Sequence, residues 1–314
     1  MRISFLGKGG SGKTSISAAY ALYLKQKDSN TPVLAVDGDV NMHMAPLLGA
    51  QQLWVHPLKD QIQAYLEPRL VADGVPIVGT LPPTTNARFI RLGDEDKFLQ
   101  QFTTKTPDGL RVLTVGTYEA KDAGANCYHG KLQTLELILH RVLDTKNDRI
   151  VCDMTAGIDS LGTSMYMCSD LNIFVVEPTM KSVSVYKEFA AAALEHGLTT
   201  FVLANKIEDD ADRQFITDNI PANLLLGMVA HSADMKRVEQ GDLAKFAEFA
   251  KSNAQVFEGL DKKLAQQSRN HEAYLTELER VYRLNCEWWY NDFYGLDLTQ
   301  YIDKNFSYAK IATA

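Results

Sequence analysis

The chain has 314 residues, is 46% hydrophobic and 23% charged, and carries a formal charge of −7, which fits one large soluble α/β domain or a domain with an appendage. The acidic balance argues against nonspecific nucleic-acid binding, and no apolar run approaches the ~20 residues that span a bilayer. The four scattered cysteines, Cys127, Cys152, Cys168 and Cys286, form no CxxC pair and suggest neither a disulfide framework nor a zinc finger.

Glycine and lysine interrupt the short apolar start at once, so no signal peptide is expected and the cytoplasm is the expected location. The first predicted strand, RISFLG, runs into GKGGSGKTS at residues 7–15, and a helical pattern, TSISAAYALYLKQK, follows. Gly7, Gly12, Lys13 and Thr14 complete G-x-x-x-x-G-K-[ST] between a strand and a helix, the setting that a phosphate-binding loop requires. Glycines let successive N–H groups turn toward an anion, and the helix adds its positive end. Gly7, Gly9, Gly10, Ser11, Gly12, Lys13, Thr14 and Ser15 are therefore expected to wrap phosphates. Lys13 would reach the β- and γ-phosphates of ATP, and the Thr14 hydroxyl would ligate Mg²⁺.

The second strand, PVLAVD, ends in DGDVNMHM, with Asp37 and Asp39 at the end where open α/β sheets place ligands. Prolines at 57, 68, 76, 82, 83 and 107 break up residues 54–108, which read as an insertion, partly helical. The rhythm resumes with the strand LRVLTVG, the helix HGKLQTLELILHRVLDT and the strand RIVCDM. Asp153 follows that strand as a Walker B aspartate does and would bind Mg²⁺ through water. LNIFVVEP, the helix SVYKEFAAAALEHG, TTFVLANK and LLLGMV complete the series. Apolar runs alternating with amphipathic stretches predict a mainly parallel, doubly wound sheet with helices on both faces. Residues 1–240 form this nucleotide-binding domain. Residues 241–314 read as a helical, aromatic-rich C-terminal extension.

The second lysine of the loop, Lys8, distinguishes it. KGGSGKT resembles the deviant phosphate loop of the MinD, ParA and nitrogenase iron protein family of P-loop ATPases. The resemblance covers residues 1 to about 240. It implies a dimer in which Lys8 reaches the nucleotide of the other subunit, offsetting charge on the transferring phosphoryl group much as an arginine finger does. It also implies that Asp37 holds Mg²⁺ through water, that Asp39, followed by Asn41, orients the attacking water, that Gly157 of DMTAGIDSLG approaches the γ-phosphate, and that Asn205 hydrogen-bonds adenine. The segment MVAHSADMKR lacks the proline that often touches the base in this family.

DGDVN, DMTAGIDSLG and VVEPT look most like the branch that inserts nickel into carbon monoxide dehydrogenase. That branch carries a Cys-x-Cys pair where this chain reads KDAGANCYHG, with Ala125 in place of one cysteine. Cys127 and His129 lie two apart, so a symmetric dimer would gather two thiolates and two imidazoles, enough for Zn²⁺ or Ni²⁺. The plainer alternative, a buried cysteine beside a surface histidine, is favoured. DSLGTS offers no second cysteine for an iron–sulfur cluster, and the methionines of NMHM and MYMCSD read as core filler. EWWYNDFYGLDLTQY reads either as packed back on the domain or as a docking surface.

The leading expectation is a dimeric, Mg-ATP-dependent ATPase switch, an accessory factor for a metalloenzyme or other client. A positioning ATPase of MinD or ParA type, acting on DNA or membrane-bound partners, is the alternative. Against it stand the acidic total and a weakly basic, short ending, DKNFSYAKIATA. Lys13, Thr14, Asp39 and Asp153 argue against an inactive nucleotide-binding scaffold.

Overall fold

A computed structural model describes residues 1–122 and 127–312. Its strands are β1 (Arg2–Gly7), β2 (Val33–Asp37), β3 (Thr104–Lys105), β4 (Arg111–Thr114), β5 (Arg149–Asp153), β6 (Leu171–Val176), β7 (Thr200–Ile207) and β8 (Leu225–Ala230). They form one sheet in the order β3-β4-β2-β5-β1-β6-β7-β8. Every pairing is parallel except that of β3 with β4. All seven predicted strands are present. The two-residue β3 was not predicted; it is an edge strand set by the turn that brings Lys105 beside Arg111, with too few residues to show a period.

The central strands are apolar throughout because both faces are covered. Their residues alternate between two cores. Leu34, Val36, Ile150, Cys152, Phe174 and Val176 enter one core, and Val33, Ala35, Val151, Ile173 and Val175 enter the other. On the first face lie the helices Tyr128–Leu139 and Met180–Glu195. On the second lies α1 (Lys13–Lys27), through Ile16, Ala19 and Tyr20. The helices after residue 240 serve both faces: Phe246, Phe249, Phe257 and Leu260 pack with α1, while Tyr282, Cys286 and Leu298 pack on the opposite side.

Residues 54–108 contain the short helices Lys59–Leu66, Pro68–Ala72 and Lys97–Phe102. A buried ion pair from Arg141 to Glu67, 2.7 Å, ties this region to the segment that follows the helix Tyr128–Leu139. The helix predicted over 129–145 stops at Leu139. Beyond it the chain extends, because Ile90 bonds to both sides of Val142, through Arg141 O at 2.9 Å and Leu143 N at 2.8 Å.

Candidate functional site

The site lies at the C-terminal ends of β1, β2 and β5, where crossover helices leave a crevice. β1 ends at Gly7, and the loop to α1 bends through Gly10 and Gly12, both at positive φ (85° and 89°). Gly12 has a second reason to be glycine: a Cβ there would overlap the side-chain amide of Asn205. Lys13 and Thr14 open α1, so the helix N-terminus faces the crevice.

Asp37 and Asp153 end neighbouring parallel strands in direct register. The Thr14 hydroxyl donates to Asp153 Oδ2 at 2.5 Å, and Asp37 Oδ2 accepts from Met44 N at 3.0 Å. The other oxygen of each carboxylate is buried without a partner among the described residues. Burial, and then the facing charge of Asp153, pushes the Asp37 carboxyl well above the usual range. Burial pushes Asp153 up as well, against the pull of Lys13 and of the Thr14 hydroxyl. Two such carboxylates with unused oxygens beside a hydroxyl form an all-oxygen donor set, the chemistry that suits Mg²⁺. Bound there, Mg²⁺ would neutralise phosphate charge.

Asp39 turns back over the loop. It forms an ion pair with Lys13, and its Oδ1 accepts from the backbone and side-chain nitrogens of Asn41, both at 2.9 Å. Gly157, at φ 68°, begins the short turn Gly157–Leu161. Around Lys13 and Asp39 opens a cleft of about 430 Å³ lined by Gly9, Lys13, Ser15, Asp39, Thr155 and Tyr128 among others, with Gly157 just outside the lining, next to Ala156. A second cleft of about 320 Å³ shares Gly10, Gly12, Ser15 and Glu239 with the first and extends past Asn205, His231 and Met235.

The structure thus gathers Gly9, Gly10, Gly12, Lys13, Thr14, Ser15, Asp37, Asp39 and Asp153 around one crevice. Ser11 closes the loop on itself through N–H to Lys8 O, 3.0 Å. Lys8 lies outside the cleft lining, 3.7 Å from Glu177 Oε2. Asn205 donates its side-chain amide to Ser11 O at 2.9 Å, so that donor is spent on the loop. Tyr128, whose hydroxyl donates to Gly38 O at 3.2 Å, and Glu239 reach the cleft from distant segments that carry no local motif, while Thr155 follows Asp153 by two residues within DMTAGIDSLG. Lys206, which lines the second cleft and bonds to Gly10 O, and its partner Glu177 were likewise missed.

The structure separates Cys127 from His129. Cys127 is exposed, which corrects the expectation of a buried thiol, because it precedes the helix Tyr128–Leu139 rather than packing beneath it. It borders a groove with His56, Lys59, Trp289 and Phe293. His129 faces the turn after β5, with Nε2 3.2 Å from Asp159 Oδ1. Ala125 lies outside the described residues. Among the described residues no three His, Cys, Asp or Glu side chains group as a metal site. Met42, Met44, Met165 and Met167 are buried, as core filler should be. The aromatic tail divides: Tyr282, Cys286 and Tyr290 pack on the core, while Trp288, Trp289 and Phe293 are 65%, 69% and 78% exposed.

Residues 5–244 match the CobQ/CobB/MinD/ParA nucleotide binding domain. The carbon monoxide dehydrogenase accessory protein CooC of Rhodospirillum rubrum is 27% identical over 246 residues, 78% of this chain and 89% of that protein. An uncharacterised ATP-binding protein of Methanocaldococcus jannaschii is 28% identical over 243 residues, 76% of this chain and 88% of that one. Among solved structures, a plasmid partition protein of Borrelia burgdorferi bound to AMPPNP superposes with a TM-score of 0.54 at 16% identity, covering 83% of this chain and 98% of that one. The cell-division ATPase MinD of Pyrococcus furiosus gives 0.53 at 17%, over the same shares. These structures share the fold.

Proposed function

The chain belongs to the CobQ/CobB/MinD/ParA nucleotide-binding domain family, and from that premise we propose that it is a cytoplasmic, Mg-ATP-dependent ATPase that acts as a dimeric switch on a client protein. The observation that carries this reading is the convergence of Lys13, Thr14, Asp37, Asp39 and Asp153 on one crevice, with two carboxylate oxygens unused. Lys13 leaves Asp39 for the β- and γ-phosphates when nucleotide enters. Asp39, freed, orients the attacking water. Lys8 acts on the nucleotide of the other subunit, so turnover requires the closed dimer, and hydrolysis reopens it.

The likeness to an accessory protein of carbon monoxide dehydrogenase supports a metalloenzyme as the client. No helix among the described residues is long and apolar enough to cross a membrane, so a membrane role would have to work through a surface or a partner.

Isothermal titration with a nonhydrolysable ATP analogue and Mg²⁺ tests the reading. The unaltered protein binds, and Lys13→Ala does not, because the cation over the phosphates is lost. Equal affinity in the two proteins would remove the phosphate-loop assignment.

A further inference from the structure

β7 does not pair regularly with β8. The register slips between Ala204 and Ile207, and within the slip Lys206 has φ 62°, a left-handed conformation that is uncommon and strained for a side chain of this kind. On a regular strand, Asn205 and Lys206 would point to opposite faces. At this irregularity both reach the same loop. Asn205 Nδ2 donates to Ser11 O at 2.9 Å, and Lys206 Nζ donates to Gly10 O at 2.7 Å. Lys206 also pairs with Glu177 Oε1 at 2.7 Å, and Glu177 stands at the end of β6. Bulges of this kind re-aim side chains beside functional sites.

We propose that Lys206, braced by Glu177, is a positioning residue that holds the phosphate loop in its binding form. The inference rests on the reading of residues 7–15 as a phosphate site. The Gly10–Ser11 peptide is held at both ends, its carbonyl by Lys206 and its N–H by Lys8 O. The next carbonyl, Ser11 O, is held by Asn205. In a trans peptide the N–H opposes the carbonyl, so this grip directs the Gly12 N–H away from Asn205. A glycine-rich loop has many accessible conformations. Fixing two successive carbonyls before ligand arrives removes part of the ordering cost of binding. The left-handed backbone at Lys206 is the local cost of aiming the amine at Gly10 O.

The test is Mg-ADP titration of the unaltered protein and of Lys206→Met, Lys206→Gly and Lys206→Arg, beside the thermal midpoint of each without nucleotide. Lys206→Met and Lys206→Gly should weaken Mg-ADP binding by about tenfold, the scale of one charge-assisted hydrogen bond. Lys206→Arg, which keeps a donor and the charge, should stay within about threefold. Lys206→Gly relieves the strained backbone, so its midpoint should equal or exceed that of Lys206→Met while its affinity stays low. Unaltered affinity in the Met and Gly variants overturns the proposal, as does a loss of affinity that tracks loss of thermal stability in both. Failure of the unaltered protein to bind Mg-ADP overturns the phosphate-site reading itself, and the clamp with it.

Discussion

Lys8 Nζ lies 3.7 Å from Glu177 Oε2 of its own chain and donates to Gly9 O at 3.2 Å. A partly exposed pair at that separation contributes only ~0–1 kcal/mol, and Glu177 keeps Lys206 as a partner when Lys8 departs. The lysine is therefore held lightly and can be given up to a second subunit. Lys8→Ala should leave nucleotide affinity unchanged, abolish ATP-dependent dimerisation, and lower turnover by roughly 1,000-fold, the scale of a cation acting in trans. Light scattering and phosphate release check this. Values matching the unaltered protein would make Lys8 an ordinary loop residue.

Asp39 and Lys13 are buried together, and the pair must break before Lys13 meets a phosphate. Asp39→Ala removes the competitor, so nucleotide affinity should be equal or higher while hydrolysis is lost. The variant should accumulate as an ATP-bound dimer on gel filtration. Normal turnover by Asp39→Ala would refute its role in orienting water.

Burial raises the Asp153 carboxyl, so the native state binds this proton more tightly than the unfolded chain does. The stability it contributes is full below the ordinary aspartate value and is lost as pH rises through the raised one. Asp153→Asn cannot ionise. Without nucleotide at neutral pH, its thermal midpoint should exceed that of the unaltered protein by roughly 2–4 °C. The further gain on adding Mg²⁺ with ATP should be lost. Scanning calorimetry with and without Mg-ATP measures both, and a lower midpoint in the variant would count against the buried-charge argument.

Asp144 shows the opposite sign. Burial alone would raise its carboxyl, but Arg2 at 2.8 Å and Arg269 at 3.0 Å hold it well below the usual range. Its contribution is present above the ordinary value of about 3.9 and fades as pH falls toward the depressed one. Asp144→Asn should cost about 3–5 kcal/mol at pH 7, because two arginines lose a buried partner. The difference should narrow between pH 4 and pH 2. Urea unfolding across that range reads it directly, and a gap independent of pH would exclude the ionic account.

The exposed thiol of Cys127 faces the aromatic groove, while His129 is engaged with Asp159. The two side chains face different surroundings, so the two-residue motif does not bring thiol and imidazole together within one chain. Metal analysis of the reduced protein should give equal, low nickel and zinc in the unaltered protein and in Cys127→Ser. About one ion per dimer, lost in Cys127→Ser and weakening as pH falls because protons compete for sulfur, would instead establish a shared site.

The strand–glycine loop–helix at residues 7–15, the placing of Asp37 and Asp153 at strand ends and the seven parallel strands were legible because each is a local signal. A strand, a glycine turn and a helix start follow one another in sequence, and Asp37 and Asp153 are marked by the apolar runs they end. Residues brought together from separate crossovers were not legible. The sequence placed Asn205 at the end of a strand, but a slip in strand pairing and the φ of Lys206 decide that both side chains grip the loop. Cys127 and His129 are two residues apart, yet one lies at the start of a helix beside Trp289 and the other reaches Asp159. Periodicity reports which face of an element is apolar. Which partner meets that face, and whether a charged group finds its counter-ion across it, depends on the packing of elements far apart in the chain.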